Sequence, residues 1–275
     1  MTTSINTNTS AMIALQNLNK TNEMLAATQG RVSTTLKVQG AKDNAAVWAV
    51  AQGQRADRGS LEAVTTSLKR ATSIADVSLA AGEQISDLLI ELKQKATAAA
   101  DESATAAMRT SYNDEFQSLL KSIASFADNA VFDGSNILDG SSTAGMNFLA
   151  SADGTETITL NRQNLSLAGL GLDAPPNLST KAAADAALGL INTALTTSGA
   201  RLAELGAQAK QIERHTTYVS KLSDALESGI GNLVDADMAK ESARLQALQV
   251  QQQLGVQALS IANQSPQIIL SLFKG

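Results

Sequence analysis

The chain reads as a mainly α protein. It predicts a long antiparallel coiled-coil rod with a small β-hairpin insert, its N- and C-terminal helices paired. Three observations predict this. Apolar residues recur at alternating steps of three and four along most of the 275 residues. No proline interrupts the helical pattern from about Asn44 to Thr97, and Pro175-Pro176 stands where the insert ends. Asp-Gly turn dipeptides crowd into one region, between residues 133 and 154.

The first helix begins near Ala11. Leu15, Leu18, Asn22, Leu25, Gln29, Val32 and Leu36 then make a heptad seam with two polar interruptions. A second helical stretch runs from about Asn44 to Thr97. Leu61, Val64, Leu68, Ala71 and Ala75 mark one stripe, continued by Ile74, Val77, Ala81, Ile85, Leu88 and Leu92. At ~1.5 Å per residue it would span about 80 Å. Glycines 53, 59 and 82 weaken it locally without breaking it. Asp101-Glu102-Ser103 reads as a turn and cap. The third helix runs to about Asp128, with Met108, Tyr112, Phe116, Leu119, Ile123 and Phe126 expected to face inward.

The β-like region comes next. Asp133-Gly134, Asp139-Gly140 and Asp153-Gly154 are turn signals. Alternating Met146, Phe148 and Ala150 before the last, and Ile158 and Leu160 after it, predict a hairpin. Pro175-Pro176 ends the insert, and Ser179 or Thr180 is the expected cap of the return helix. That helix carries Leu202, Leu205, Ala209, Ile212, Thr216, Val219, Leu222, Leu226, Ile230 and Leu233 at near-heptad spacing. The last helix has two adjoining stripes. One is Ala243, Ala247, Val250, Leu254, Ala258 and Ile261; the other is Leu245, Leu248 and Leu259. So broad an apolar surface needs cover from more than one side. Two readings stand: a monomeric helical hairpin, or terminal helices that pack together and against copies from other subunits.

Composition narrows the function. About one residue in six is Ala, aromatics are 3% and charged residues 17%. Large side chains supply most burial energy, so this chain builds a narrow core that suits helices finishing their burial on neighbours. A net charge of −5 and a pI near 5.0 leave no broad basic face for nucleic acid or an anionic membrane. No apolar run approaches the ~20 residues of a membrane span. The first twenty residues lack the charged-then-apolar pattern of a cleaved signal. Zero Cys removes disulfides and thiolate metal sites, and the single histidine removes His clusters. His215, beside Arg214, has no partner for acid–base work. Asp235 and Asp237 precede a helix and read as caps rather than metal ligands. Gly169 and Gly171 lack the lysine and frame of a phosphate loop, and Trp48 and Met12 read as packing residues. No catalytic, cofactor-binding or metal residue is expected, and no enzyme.

Several short motifs, in order, point to one family. Ile5-Asn6-Thr7-Asn8 and the Leu15–Asn19 stretch open the chain, with Ala41-Lys42-Asp43-Asn44-Ala45-Ala46 after them. The hairpin Ala152–Leu160 (ADGTETITL) and Leu205-Gly206-Ala207 come next. Asp235-Ala236-Asp237, Ala262-Asn263-Gln264-Ser265-Pro266-Gln267 and Leu270-Ser271-Leu272-Phe273 close it. In this order and at these distances from both ends, they resemble bacterial flagellin, the subunit of the flagellar filament. The short insert and Trp48 after AKDNAAV are similar to two-domain, alphaproteobacterial members.

The resemblance implies an inner domain from residues 1–42 and 236–275, and an outer rod from 43–235 with its β region at about 130–175. It implies a homopolymer, open to mixing with other flagellins, outside the cell. Subunits would be exported unfolded through the flagellar type III apparatus with a chaperone, without signal cleavage. They would add at the distal tip and meet hook-associated junction and cap proteins. The residues expected to carry polymerisation are Leu15, Leu18, Leu25, Val32, Leu36, Val250, Leu254, Leu259, Ile261, Ile268, Ile269, Leu270, Leu272 and Phe273. Ser141, Ser142, Thr143, Ser151, Thr155 and Thr157 are candidate O-glycosylation sites. A hook–filament junction protein of the same architecture is the alternative. An enzyme or signalling adaptor would need a pocket of titratable groups or exposed docking motifs, and neither is visible. One departure stands out. Glu91, Lys93, Gln94 and Lys95 occupy the patch where animal innate receptors read an Arg-Glu-Leu pattern, which predicts poor recognition.

Overall fold

The computed structural model describes residues 7–174 and 177–272, with 265–272 as helical backbone alone. Among these residues the helices are α1 (Thr9–Thr34), α2 (Ala45–Ala100), α3 (Ala106–Asn129), α4 (Lys181–Val234) and α5 (Met238–Leu272). Between α3 and α4 lie two antiparallel pairs: β1 (Val131–Phe132) with β2 (Ser135–Asn136), and β3 (Met146–Leu149) with β4 (Thr157–Leu160). Contacts divide the chain into two compact units, Met1–Ala56 with Ala225–Gly275, and Asp57–Asp224. Helices α2 and α4 contribute to both. No helix here is long and apolar enough to cross a membrane.

The unit from 57 to 224 is built on the seam of α2. Its inward seam runs through Leu61, Val64, Leu68, Ala71, Ala75, Ser78, Gly82, Ile85, Leu89, Leu92, Ala96 and Ala99 in steps of three and four, with Ile74 buried beside it. The expected continuation through Val77, Ala81 and Leu88 is off by one position; those three are half-buried at the seam's edge. The reason is close approach. A Cβ at Gly82 would collide with Leu202 Cδ2 and crowd Leu165 Cδ1, so α4 reaches α2 where the side chain is missing. Buried Ser78 satisfies its hydroxyl on the Ile74 carbonyl at 2.7 Å.

Asp101 accepts from Ser103 N at 2.8 Å and Ser103 Oγ at 2.7 Å, which makes the turn after α2. These hydrogen bonds hold the Asp101 carboxyl below its ordinary range. The helix cap is a different residue from those expected: Thr105 Oγ1 accepts from Met108 N. Helix α3 returns along α2, with Arg109 Nε donating to the Ala99 carbonyl at 2.9 Å and Lys95 paired with Glu115. It buries Phe116, Leu120, Ile123 and Ala127. Met108 and Phe126, expected inward, are 45% and 40% exposed. Phe126 instead lies along a shallow apolar groove beside Val77 and Ala81.

The expected hairpin forms, with Met146 opposite Leu160 and Phe148 opposite Ile158. Its inward residues Phe148, Ile158 and Leu160 are buried. A second hairpin, β1–β2, turns on Asp133 (φ 48) and Gly134 (φ 72), the left-handed pair a two-residue turn requires. The expectation of α4's cap resolves to Thr180, whose Oγ1 accepts from Ala183 N at 3.2 Å. Along α4, Leu205, Ile212, Val219 and Ile230 are buried, as the spacing predicts.

In the other unit, Val38, Ala51, Ile230 and Val234 form a small core, with Leu36, Val47, Trp48 and Leu233 packed against it. The AKDNAA motif has a local purpose here. Asp43 Oδ2 accepts from Gln39 N at 2.9 Å, and Asn44 Oδ1 caps α2 through Val47 N at 3.1 Å.

Candidate assembly interface

Helices α1 and α5 pair antiparallel, and their sequences explain each end. Asn8 caps α1, accepting from Ala11 N at 3.0 Å. Its Nδ2 also donates to the Ala262 carbonyl at 2.7 Å, fastening the start of α1 to α5. Helix α1 stops at Thr35, which takes a left-handed φ of 60. The chain then makes a backbone bridge, Leu36 opposite Asp235. Lys37 N donates to the Val234 carbonyl at 2.7 Å, and Ala236 N to the Thr35 carbonyl at 2.8 Å. Asp237 caps α5, accepting from Ala239 N and Lys240 N at 3.1 Å each. The Asp-Ala-Asp motif is thus a bridge and then a cap. Among the described residues, no group of three or more acidic or His side chains could hold a metal ion.

The seam between α1 and α5 differs from the one expected. Helix α1 presents Ala11, Ala14, Leu18, Thr21, Leu25, Thr28 and Val32. Helix α5 presents Leu245, Leu248, Gln252, Gly255, Leu259 and Ala262. Leu15, Asn22 and Gln29, expected on the seam, are exposed. Thr21 and Thr28 are buried there, and Thr21 returns its hydroxyl to the Asn17 carbonyl at 2.9 Å. At the rim Gln252 donates to Asn22 Oδ1 at 2.8 Å. Near the bridge, Arg31 Nη1 lies 3.5 Å from Glu241 Oε1, and Glu241 is buried.

The residues expected to carry polymerisation therefore fall into separate groups. Leu18, Leu25, Val32 and Leu259 pack inside the helix pair. Leu36 sits against the small core at the base. Leu15, Val250, Leu254 and Ile261 are 47%, 56%, 60% and 69% exposed, and Met12 and Ile13 join them at 66% and 59%. Two apolar stripes thus face outward, one on each helix, left uncovered by the described residues. The side chains of Ile268, Ile269, Leu270 and Leu272, and the whole of Phe273, lie outside the described residues, as do Ile5, Asn6, Pro175 and Pro176. Thr21, Thr28, Arg31 and Glu241 were not singled out from the sequence. Polar residues in a helix carry no signal in an apolar count.

The hairpin region is bound down by polar contacts. His215 Nε2 donates to the Ala150 carbonyl at 2.7 Å, since a carbonyl can only accept. Asn161 N meets Gln208 Oε1 at 2.8 Å, and Asn161 Nδ2 meets Glu204 Oε1 at 3.0 Å. Of the candidate glycosylation residues, Ser141 gives its hydroxyl proton to Asp139, and Ser151 and Thr155 give theirs to Asp153. Ser142 Oγ accepts from Ala144 N, while Thr143 and Thr157 are exposed. Glu91, Lys93 and Gln94 are exposed on α2, and Lys95 is tied to Glu115, which raises its pKa.

Comparison with known proteins identifies both ends of the chain. Residues 5–143 match the bacterial flagellin N-terminal helical region, and residues 188–273 match the bacterial flagellin C-terminal helical region. The chain is 52% identical to flagellin FljK of Caulobacter vibrioides over 98% of each sequence. It is 39% identical to a flagellin of Brucella melitensis over 99% of each. Its fold is similar to the crystal structure of Bacillus cereus flagellin, with a TM-score of 0.50 at 23% identity, covering 55% of this chain and 86% of that one.

Proposed function

Because the chain belongs to the bacterial flagellin family, and is a structural subunit of the extracellular flagellar filament and not an enzyme, we propose that its outward terminal stripes build the filament's inner contacts. Flagellins polymerise with themselves and with other flagellin chains. The observation that carries the proposal is the pair of uncovered stripes, Met12, Ile13 and Leu15 on α1 and Val250, Leu254 and Ile261 on α5. With about half to two-thirds of their surface still open, these Leu, Ile and Val side chains gain about 1–2 kcal/mol each when covered.

Residues 1–42 and 236–275 form the inner layer around a central channel in this reading, and 43–235 the outer contacts that stiffen the tube. Leu18, Leu25, Val32 and Leu259 act indirectly, by shaping the pair that presents the stripes. Ile268, Ile269, Leu270, Leu272 and Phe273 extend the α5 contact in the same proposal. Export runs unfolded through the flagellar type III apparatus with a chaperone and without signal cleavage, and the absence of cysteine fits a chain that must thread without cross-links. Hook-associated junction and cap proteins are the partners at the two filament ends. Thr143 and Thr157, exposed in the insert, lead the candidate glycosylation sites.

The test is direct. Purified chain is mixed with short sheared filament seeds or a precipitating salt and imaged by negative stain. Long tubes growing from the seeds are expected. Chain that stays soluble, or makes only rings, would overturn the proposal.

A further inference from the structure

The α1 seam repeats itself every seven residues. Moving α1 along α5 by one heptad, about 10.5 Å, puts Leu25 in the place of Leu18, Thr28 in that of Thr21 and Val32 in that of Leu25. It also puts Gln29 in the place of Asn22, so the hydrogen bond to Gln252 could be remade by a side chain with the same amide. Gly255, which receives Leu18 in a notch where a Cβ would lie 3.2 Å from Leu18 Cδ1, would receive Leu25 instead. In the middle of the seam, burial and polar pairing are nearly the same in both registers, so that stretch does not choose between them; at its ends Leu18 and Thr21 would take the places of Ala11 and Ala14, and those of Thr28 and Val32 would fall past the end of the helix.

The base of the pair does choose. Glu241 is buried, and Arg31 is the cation beside it. After the slip that brings Leu25 to Gly255, residue 38 would be due opposite Glu241, but α1 has ended at Thr34. Arg31 would face buried Leu248 instead. The opposite slip sets Met24 against Glu241. Either way Glu241, 8% exposed in the native register, loses the cation 3.5 Å away. The Leu36–Asp235 bridge, one turn away, would break as well. We infer that Arg31 and Glu241 are positioning residues which, with the adjoining backbone bridge, set the register of the terminal helices, while the middle of the seam supplies adhesion without register. The register fixes the stagger between the stripe of Met12, Ile13 and Leu15 and that of Val250, Leu254 and Ile261. This inference goes beyond the proposed filament contacts and rests on the subunit's own pairing, so it can be read without filaments.

The chain has no cysteine, so introduced pairs report cleanly. An ideal Cβ at Gly255 lies 3.8 Å from Leu18 Cβ, the ordinary separation in a disulfide. Leu18→Cys with Gly255→Cys therefore reports the native register, and Leu25→Cys with Gly255→Cys the slipped one. Both pairs are built into the full chain in three settings: unchanged, with Glu241→Gln plus Lys37→Pro at the base, and with Thr21→Val plus Asn22→Leu on the seam. Each is oxidised in solution and after seeded growth with an excess of unmodified chain. The intramolecular bond is read by non-reducing electrophoresis and peptide mapping. The unchanged chain and the seam variant should give the 18–255 bond alone. The base variant should raise the ratio of 25–255 to 18–255 bonds by at least ~fivefold. Exchanging the charges, Arg31→Glu with Glu241→Arg beside Lys37→Pro, should restore the 18–255 bond. A base variant that keeps only the 18–255 bond, or loses both, overturns the inference. So does a seam variant that slips, or a charge exchange that restores nothing.

Discussion

Asp153 closes the larger hairpin by accepting hydrogen bonds from Ser151 Oγ, Thr155 Oγ1 and Thr155 N. Those donors, the Ser151 hydroxyl foremost, hold its carboxyl below the ordinary Asp value. Linkage sets the sign of the effect. A depressed folded pKa gives stability that is complete above the unfolded value, about 3.9, and is lost as pH falls through the folded pKa. The contribution of Asp153 to the hairpin should therefore be constant between about pH 5 and 8 and be lost only in strong acid. Carbon-detected NMR of the Asp153 carboxyl should give a midpoint below that of an unstructured Asp, and Ser151→Ala should move it back upward. An Asp153 midpoint equal to that of a free Asp peptide would refute the assignment. Gly169 shows a different kind of local demand. A Cβ there would run into the Asn164 backbone carbonyl, so the residue is fixed by a close approach and not by any phosphate.

At the scale of elements, the existence and order of the helices and of the β3–β4 hairpin were legible, because periodicity and Asp-Gly turns are local. Which face each helix buries was legible only in part. On α1 two heptad patterns run side by side. The apolar count favours the one through Leu15, and the fold uses its neighbour through Ala14, Thr21 and Thr28. On α2 the count passes from Ile74 to Val77 and Ala81, and the fold uses Ser78 and Gly82. In both cases small residues win the seam because they let two backbones come closer. In a chain so poor in aromatics, close approach replaces bulk. The tie between hairpin and helix was not legible at all, since His215 and Ala150 are 65 residues apart. It makes a prediction for the element. His215→Ala removes one hydrogen bond worth about 1 kcal/mol, so amides of β3 and β4 should exchange roughly fivefold faster while those of α3 stay unchanged. Unchanged hairpin exchange in that variant would show that the hairpin's other contacts, such as Asn161 with Gln208 and Leu149 N with Ser67 Oγ, hold it without His215.

The whole molecule separates two kinds of apolar residue on α5, and that separation can be tested against itself. Leu248 is buried within the chain at 5% exposure, whereas Leu254 is 60% exposed. A residue already covered contributes to the subunit's own stability; one left uncovered can contribute only when another copy arrives. Leu248→Asn should therefore unsettle the α1–α5 pair by about 2–4 kcal/mol, read as faster amide exchange along both helices. Leu254→Asn should leave that exchange within about 0.5 kcal/mol of the unchanged chain. It should nonetheless slow seeded elongation roughly five- to tenfold, since the part of Leu254 still open to water is worth about 1–2 kcal/mol when covered. Deleting residues 266–275 should go further and abolish elongation, with the 57–224 unit still folded by circular dichroism and urea titration. The two point variants are the sharper comparison, because they differ by less than two helical turns and exchange the same side chain. Were Leu254→Asn to elongate as fast as the unchanged chain, the outward stripe would be an ordinary solvated surface, and the filament contacts would have to be sought on α2, α3 or the hairpins instead.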